Sequence, residues 1–156
     1  MRRYSFEVSS ELSARPDEFW ARATLSGVNK ELSPWVRMTA PPEWRSIPLL
    51  QWTLRKRLFN SWLLLFGIIP VDLHYFYMHN VTPNVGFEER SSSAMNKHWD
   101  HTRRIEPTPR GCVLTDRVEY ESRLPFIGVL FLPIYKAIFV SRHRYLRRVY
   151  GRIASS

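Results

Sequence analysis

The sequence has almost no cysteine, and it lacks the residue patterns of several common functional sites. Cys112 is the only cysteine, so an internal disulfide is excluded, and no Cys/His spacing typical of a zinc site occurs. There is also no Gly-rich phosphate loop, no Gly-x-Ser-x-Gly nucleophile elbow and no paired-acid spacing. We therefore predict no metal ion and no cofactor, and we expect a chain without any standard catalytic motif.

Long hydrophobic runs are also missing. The most apolar stretch, 62–71, is about half of the roughly 20 residues that a membrane-spanning helix needs. A second stretch, 126–140, is interrupted by Pro133 and Lys136. The first residues lack the apolar region of a signal peptide. Together with the single free thiol, these features predict one cytoplasmic globular domain over residues 1–156.

Acidic residues are few relative to basic ones, with 14 against 23 and a net charge of +9. The positive charges are dispersed except near the C-terminus, which favours an ordinary solvated surface. The cluster there leaves open a contact with an anionic membrane surface or a partner protein. Nucleic-acid binding is disfavoured because no aromatic residues are interleaved with the charges. The clustered residues are Arg142, Arg144, Arg147, Arg148 and Arg152.

The first half of the chain predicts one strand followed by short helices. Residues 4–10 alternate between apolar and polar side chains, which is typical of a strand. A helix is predicted to begin near Pro16 and to end at Ser26–Gly27, followed by a short helical turn over 28–32. An extended piece covers 35–39.

The segment that follows, from Ile47 to Ile69, is ambiguous. Apolar residues recur at spacings of three and four, the period of an amphipathic helix, and we predict a helix over 47–61. The back half, 63–69, fits a buried strand as an alternative.

The second half of the chain predicts an antiparallel meander and one long helix. Four alternating segments cover 73–81, 85–92, 95–106 and 112–123, with short turns between them. A helix is then predicted from Pro125 to about Ile153, with Pro133 kinking it or marking its real start. The class is therefore α+β, with a curved sheet around the last helix. Such a sheet cannot pack against one helix along its whole length, and the resulting gap is a typical small-molecule site.

Two of these strands carry ionisable residues on the same faces as aromatic ones. Trp99, His101 and Arg103 share one face of a strand, and Asp116 shares a face of the next strand with Val118 and Tyr120. Buried charges need a partner or a ligand. Three interpretations stay open: a ligand anchored by His101 and Arg103, an acid–base pair of His101 and Asp116, and an internal salt-bridge network that fixes the strand register.

Aromatic residues on the neighbouring strand and on the final helix complete the predicted lining, although plain core packing explains them equally well. His74 and His79 fall on opposite faces of their strand, which disfavours a shared metal site. The predicted ligand-binding residues are Trp99, His101, Arg103, Asp116, Tyr75, Tyr77, Val118, Tyr120, Phe131, Tyr135 and Phe139.

Seven short motifs, taken in order, carry a resemblance to a known superfamily. They are Phe6–Ser10, Pro16 with Phe19–Trp20, Met38 with Pro41–Pro42, Phe87–Glu89, Trp99–Arg103, Thr115–Tyr120 and Phe139–Leu146. Together they cover nearly the whole chain, which resembles the START-like helix-grip superfamily (SRPBCC) of polyketide cyclases and lipid-transfer domains. Within it, the chain more closely resembles the small bacterial ligand-binding proteins of undefined role.

This resemblance implies a seven-stranded antiparallel sheet wrapped around a C-terminal helix, with a cavity between them. The helix predicted over 47–61 departs from that plan at the third strand. The superfamily has no common catalytic set, so the resemblance implies no catalytic residue.

These observations predict a protein that binds or transports a hydrophobic or amphipathic small molecule in an internal cavity. The first alternative is a small acid–base enzyme of the cyclase, hydratase or isomerase kind that uses His101 and Asp116. The second is a membrane-surface or partner-binding module that uses the basic C-terminal helix.

Overall fold

A computed structural model describes residues 2–151, and its central feature is a single seven-stranded antiparallel sheet with the strand order β1-β7-β6-β5-β4-β3-β2. The strands are β1 (Arg3–Leu12), β2 (Val36–Met38), β3 (Arg57–Leu65), β4 (Ile69–Thr82), β5 (Gly86–Ser93), β6 (Asn96–Thr108) and β7 (Gly111–Ser122). The helices are α1 (Pro16–Trp20), α2 (Leu25–Leu32) and the long α3 (Gly128–Tyr150). The sheet curls around α3, which confirms the predicted α+β helix-grip class.

Strands β4 to β7 form the predicted meander, and their alternation places one set of side chains inward. In β7, Leu114, Asp116, Val118 and Tyr120 are all fully buried. In β6, His101, Arg103 and Ile105 are buried on the same inner face. The alternation therefore sends ionisable side chains into the interior together with apolar ones.

The prediction of a helix over 47–61 is wrong. This part of the chain holds a single 3₁₀ turn at Leu49–Gln51, and β3 begins at Arg57. Leu50 and Leu54, two members of the supposed apolar stripe, are 48% and 39% exposed. The apolar residues happen to have a helical spacing. The chain nevertheless forms a strand, in which Phe59 and Ser61, two positions apart, are both buried.

An aromatic cluster on the inner face fixes this segment. Trp52 packs edge-to-face against Phe59 and Phe76 at centroid distances of 5.7 and 5.6 Å, and Phe59 lies 5.1 Å from Phe76. Trp44, in a second 3₁₀ turn at Pro42–Trp44, joins the cluster 5.4 Å from Phe59. The cluster thus joins a non-helical connection to β3 and β4.

The boundaries of the short helices also differ from the prediction. Helix α1 ends at Trp20, and Ser26–Gly27 lies inside α2, where the Thr24 side chain accepts a hydrogen bond from Gly27 as the N-cap. The N-cap Thr24 therefore starts a helix at the place where Gly27 was expected to end one.

The long helix α3 begins at Gly128, three residues later than predicted, and contains Pro133. Its predicted end near Ile153 lies outside the described residues. Within residues 2–151, no helix is both long and apolar enough to cross a bilayer.

Two apolar clusters form the core. The larger one surrounds Leu12, Cys112, Leu114 and Leu146 and includes the aromatic cluster near β3. The smaller one holds Phe6, Val118, Tyr120 and Phe139 between the sheet and α3. Cys112 is fully buried, and this burial raises the pKa of its thiol.

Candidate functional site

A cavity of about 470 Å³ lies between the inner face of the sheet, α2 and α3. Its wall is mostly apolar, with contributions from every layer of the fold. The main apolar lining residues are Trp20, Leu32, Val36, Leu49, Trp52, Leu63, Phe76, Met78, Phe87, Trp99, Ile138 and Phe139. The cavity thus lies between the sheet and two helices, α2 and α3.

The structure brings His101, Arg103 and Asp116 together on the inner face, as the alternation predicts. Arg103 and Asp116 are directly paired in the register of β6 and β7. The Asp116 Oδ1 atom lies 2.8 Å from His101 Nε2 and 2.8 Å from Arg103 Nε. His101 and Arg103 line the cavity, whereas Asp116 lies behind them with no exposed surface.

The guanidinium of Arg103 is already held by two carboxylates. Its Nε and Nη2 donate to Asp116, and its Nη1 and Nη2 donate to Glu31 of α2 at 3.0 and 3.2 Å. Arg142 of α3 donates to the same Glu31 through Nη2 at 2.6 Å and Nε at 3.2 Å. Glu31 therefore joins α2, the sheet and α3 through ion pairs.

A second branch of this network runs across the sheet through imidazoles. His101 Nδ1 lies 3.7 Å from Glu89 Oε2, and Glu89 Oε1 lies 2.6 Å from His74 Nε2. All three side chains line the cavity and are buried. Both ring nitrogens of His101 consequently face carboxylates.

A third branch leads from Asp116 to the outer edge of α3. His143 Nε2 lies 2.9 Å from Asp116 Oδ2, and its Nδ1 lies 2.7 Å from the Ser10 hydroxyl. Arg147 donates to the same hydroxyl at 2.7 Å. The order Ser–His–Asp matches a hydrolase triad, but His143 is fully buried and Ser10 is held by Arg147. We interpret this branch as structural.

Burial raises the pKa of each of the three buried carboxyl groups, but their partners outweigh it. For Asp116, Arg103 together with His101 and His143 holds the pKa well below its ordinary value. For Glu31, the charges of Arg103 and Arg142 lower the pKa. For Glu89, His74 and His101 lower the pKa. All three groups are therefore anionic at neutral pH.

The same ion pairs raise the pKa of Arg103. Burial by itself lowers its pKa, but Asp116 and Glu31 raise the pKa above its ordinary value. Arg103 therefore remains a cation in the interior.

A separate polar pair lies on the cavity wall at α3 and the start of β6. Asn96 Nδ2 donates to the Tyr135 hydroxyl oxygen at 2.9 Å, and both residues line the cavity. Asn96 is 2% exposed, and its Oδ1 atom is buried without a hydrogen-bond partner in the described part of the chain. Burial raises the pKa of Tyr135 to about 12, so its hydroxyl is neutral.

The remaining predicted site residues divide into two groups. Tyr75 and Tyr77 do not line the cavity, because His74, Phe76 and Met78 take the inward parity of β4. Tyr75 instead lies under Arg57, whose guanidinium carbon is 4.5 Å from the ring centroid.

The second group belongs to the smaller core cluster and also lies outside the cavity lining. Val118 and Tyr120 are fully buried, and Phe131 packs against the cluster. The Tyr120 hydroxyl donates to the Gly128 carbonyl. Of the predicted ligand-binding residues, five lie on the cavity wall: Trp99, His101, Arg103, Tyr135 and Phe139. The other six lie away from it: Tyr75, Tyr77, Val118, Tyr120, Phe131 and Asp116.

Sequence reasoning missed several charged or ionisable wall residues, among them the buried Glu31, His74, Glu89 and Arg142. Arg142 had a usable signal, because it continues the apolar stripe of α3 between Phe139 and Leu146. Glu89 and His74 alternate in phase with buried neighbours of β5 and β4. No local signal in α2 identifies Glu31 as the partner of two distant arginines.

The basic C-terminal cluster does not form one charged face. Arg142 points inward to Glu31, and Arg147 is held at Ser10. Arg144 and Arg148 are exposed, and Arg152 lies outside the described residues. Among residues 2–151, no three His, Cys, Asp or Glu side chains are grouped to hold a metal ion.

Comparison with known proteins identifies a family and a fold. Residues 10–150 match the model of a family described as a domain of unknown function, DUF8410. No curated protein sequence matches this chain.

Solved structures share the fold at low sequence identity. Protein CV1439 from Chromobacterium violaceum superposes with a TM-score of 0.66 at 11% identity, covering 91% of this chain and 96% of that one. A START superfamily protein from Mycobacterium smegmatis gives 0.58 at 9% identity, covering 94% and 98%. The di-domain ARO/CYC protein StfQ from the steffimycin biosynthetic pathway gives 0.63 at 12% identity, covering 95% of this chain and 51% of StfQ. These neighbours confirm the START-like resemblance at the level of the fold.

Proposed function

This chain belongs to the DUF8410 family, and from its START-like fold and its cavity we propose that it binds a hydrophobic or amphipathic small molecule between the sheet and α3. The observation that carries the proposal is the cavity itself. A volume of about 470 Å³ falls in the range of small-molecule sites, roughly 300–1,000 Å³. Its largely apolar wall would gain free energy by covering the apolar surface of a guest.

The charged network supports this proposal by holding the wall in place. Glu31 connects α2 to α3 and to β6, so three elements around the cavity are joined by one buried carboxylate. A wall that is ordered before binding loses less conformational entropy when a ligand enters. We propose that His101 and Arg103 act mainly as parts of this fixed wall, with Trp99 and Phe139 contacting the apolar part of the ligand.

The acid–base alternative rests on the contact of 2.8 Å between His101 and Asp116 at the cavity wall. A general base needs a free nitrogen within reach of the substrate. Glu89 and Asp116 face the two ring nitrogens of His101, and this arrangement favours binding over catalysis by that residue.

Binding can be tested with an apolar fluorophore and a variant that fills the cavity. N-phenyl-1-naphthylamine should gain fluorescence on entering the wild-type protein. The Ile138→Trp variant places a larger side chain on the lining face of α3 and should weaken that binding at least fivefold.

The matched control is Ile134→Trp, because Ile134 lies on the same helix but is 53% exposed and does not line the cavity. This variant should bind the probe as the wild type does. Equal binding by Ile138→Trp and the wild type, or no binding by the wild type, would contradict the proposal.

A further inference from the structure

The two buried arginines of the cavity wall, Arg103 and Arg142, have little capacity left for a ligand. Arg103 bonds Asp116 and Glu31 through all three of its nitrogens, and Arg142 bonds Glu31 through two. A ligand carboxylate or phosphate near either arginine would meet the Glu31 carboxylate in the same place. Like charges in a buried site repel strongly, so an anionic group is disfavoured there.

The buried network contains more carboxylates than guanidinium groups. Glu31, Glu89 and Asp116 are anionic, whereas Arg103 and Arg142 supply only two positive charges. The two buried guanidinium groups of the wall are therefore matched by carboxylates, and the other basic lining residues, Arg22 and Lys30, are exposed.

The hydroxyl group of Tyr135 is a hydrogen-bond donor that the described part of the protein leaves unused. Its ring is held between aromatic neighbours, with centroid distances of 5.1 Å to Trp99 and 5.0 Å to Tyr120. Its hydroxyl oxygen accepts the Asn96 amide, and among residues 2–151 its own proton has no acceptor. Tyr135 is half-buried and lines the cavity, so a ligand oxygen inside the cavity can accept this proton.

The surroundings of Tyr135 indicate which oxygen it would bind. The nearby Asp72 carboxylate also lines the cavity and raises the pKa of Tyr135. The Asp72 carboxylate is part of the same wall, so an anionic group on the ligand would be repelled by it. An uncharged acceptor, such as a carbonyl oxygen, can take the proton without that repulsion.

We propose that Tyr135, positioned by Asn96, is the hydrogen-bond donor for a carbonyl oxygen of an uncharged, mainly apolar ligand. This inference rests on the proposed function, because it assigns the polar end of the same cavity. It also moves the polar anchor away from His101 and Arg103, which the sequence predicted for that role. The apolar body of the ligand then lies against Trp99, Phe139 and the α2 side of the cavity.

The test uses three naphthalenes of similar size that displace N-phenyl-1-naphthylamine from the cavity. They are 2-acetylnaphthalene, which has a carbonyl group, 2-ethylnaphthalene, which has no oxygen, and 2-naphthoate, which is anionic. The wild type should bind the ketone more tightly than the hydrocarbon and at least tenfold more tightly than the naphthoate. Equal or tighter binding of the naphthoate would overturn the assignment of an uncharged ligand.

The Tyr135→Phe variant removes the donor and keeps the ring. Loss of one neutral hydrogen bond should weaken the ketone about fivefold. The affinity for 2-ethylnaphthalene should change less than twofold. Tyr75→Phe is the matched control, because Tyr75 does not line the cavity, and it should change neither affinity.

The outcomes separate this inference from the proposed function. If the naphthylamine probe fails to bind the wild type, the proposed function fails. If the probe binds but Tyr135→Phe weakens ketone and hydrocarbon equally, only the assignment of Tyr135 fails.

A measurement on the wild type keeps the test valid if Tyr135→Phe does not fold. The infrared carbonyl stretch of bound 2-acetylnaphthalene should lie below its value in hexane, because hydrogen bonding weakens the C=O bond. A stretch equal to the value in hexane would refute the proposal.

Discussion

Asp116 is the buried carboxylate on which the network of β6, β7 and α3 depends. It accepts hydrogen bonds from Arg103 and faces His101 and His143, and it has no exposed surface of its own. A buried ion pair adds little net stability compared with apolar residues of the same shape. Removing one partner is different, because the remaining charge is then buried without compensation.

The Asp116→Asn variant tests this dependence at nearly constant volume. It leaves the Arg103 guanidinium with one carboxylate instead of two and should lower the free energy of unfolding by about 3–5 kcal/mol. Urea unfolding followed by tryptophan fluorescence measures the change. Glu119→Gln is the control on the same strand, because its ion pair with Arg3 lies at the surface and its loss should change stability far less. Equal effects of the two variants would show that burial does not strengthen the network.

The pairing of Asp116 with Arg103 shows how far sequence reasoning reaches at the site. Alternation alone places both side chains inward, and adjacent antiparallel strands bring them together. The bonds of Arg103 to Glu31 join residues 72 positions apart in sequence, from a helix to a strand. Such a pairing depends on tertiary packing, so the sequence left open whether Arg103 was free for a ligand.

Among the elements, β3 shows where local patterns fail. Its sequence and the preceding connection carry an apolar period of three to four residues, but they fold as 3₁₀ turns and a strand. Contacts of Trp52 and Phe59 with Phe76 of β4 decide the structure. Tertiary packing overrode the helical spacing, whereas β4 to β7 and α3 were predictable because their periodicity agrees with their burial.

Replacing Phe59 tests the role of the aromatic cluster in holding this connection. Phe59→Ala removes a buried ring that contacts Trp44, Trp52 and Phe76 and should destabilise the protein by about 3–5 kcal/mol. Amide hydrogen exchange should accelerate first in the connection from residue 42 to 56. The control is Trp62→Ala in the same strand, because Trp62 is 48% exposed, and it should cost less than about 1 kcal/mol. A uniform loss of protection over the whole sheet would argue against a local role for the cluster.

At the level of the whole molecule, ion pairs join all the layers around the cavity. Glu31 lies on α2, Glu89 on β5 and Asp116 on β7, and their partners lie on β4, β6 and α3. The same three carboxylates therefore tie the global stability of the protein to pH.

Acid should unfold the protein through these groups. Their pKa values are lower in the folded state than the ordinary values of 3.8 for Asp and 4.5 for Glu, so the unfolded chain binds more protons. The stabilisation is fully present above about pH 5 and is lost as the pH falls below 4.5. Each group that is ionised in the folded protein and protonated in the unfolded chain adds up to about 1.4 kcal/mol per pH unit to the slope.

Urea unfolding midpoints between pH 7 and pH 3 measure this dependence. In the Asp116→Asn variant one titrating group is absent, so the decline should be shallower than in the wild type. A stability that stays constant down to pH 3 would contradict the folded-state ionisation of these carboxyl groups.

The reactivity of the Cys112 thiol can report unfolding of the protein core. The sulfur is enclosed between β1, β7 and the surrounding apolar side chains, so a labelling reagent can reach it only in molecules whose centre has come apart. No second sulfhydryl competes for the reagent. The modification rate therefore measures how often the wild-type protein unfolds, without a tag or an engineered probe. A ligand bound in the cavity would stabilise the native state and lower this rate.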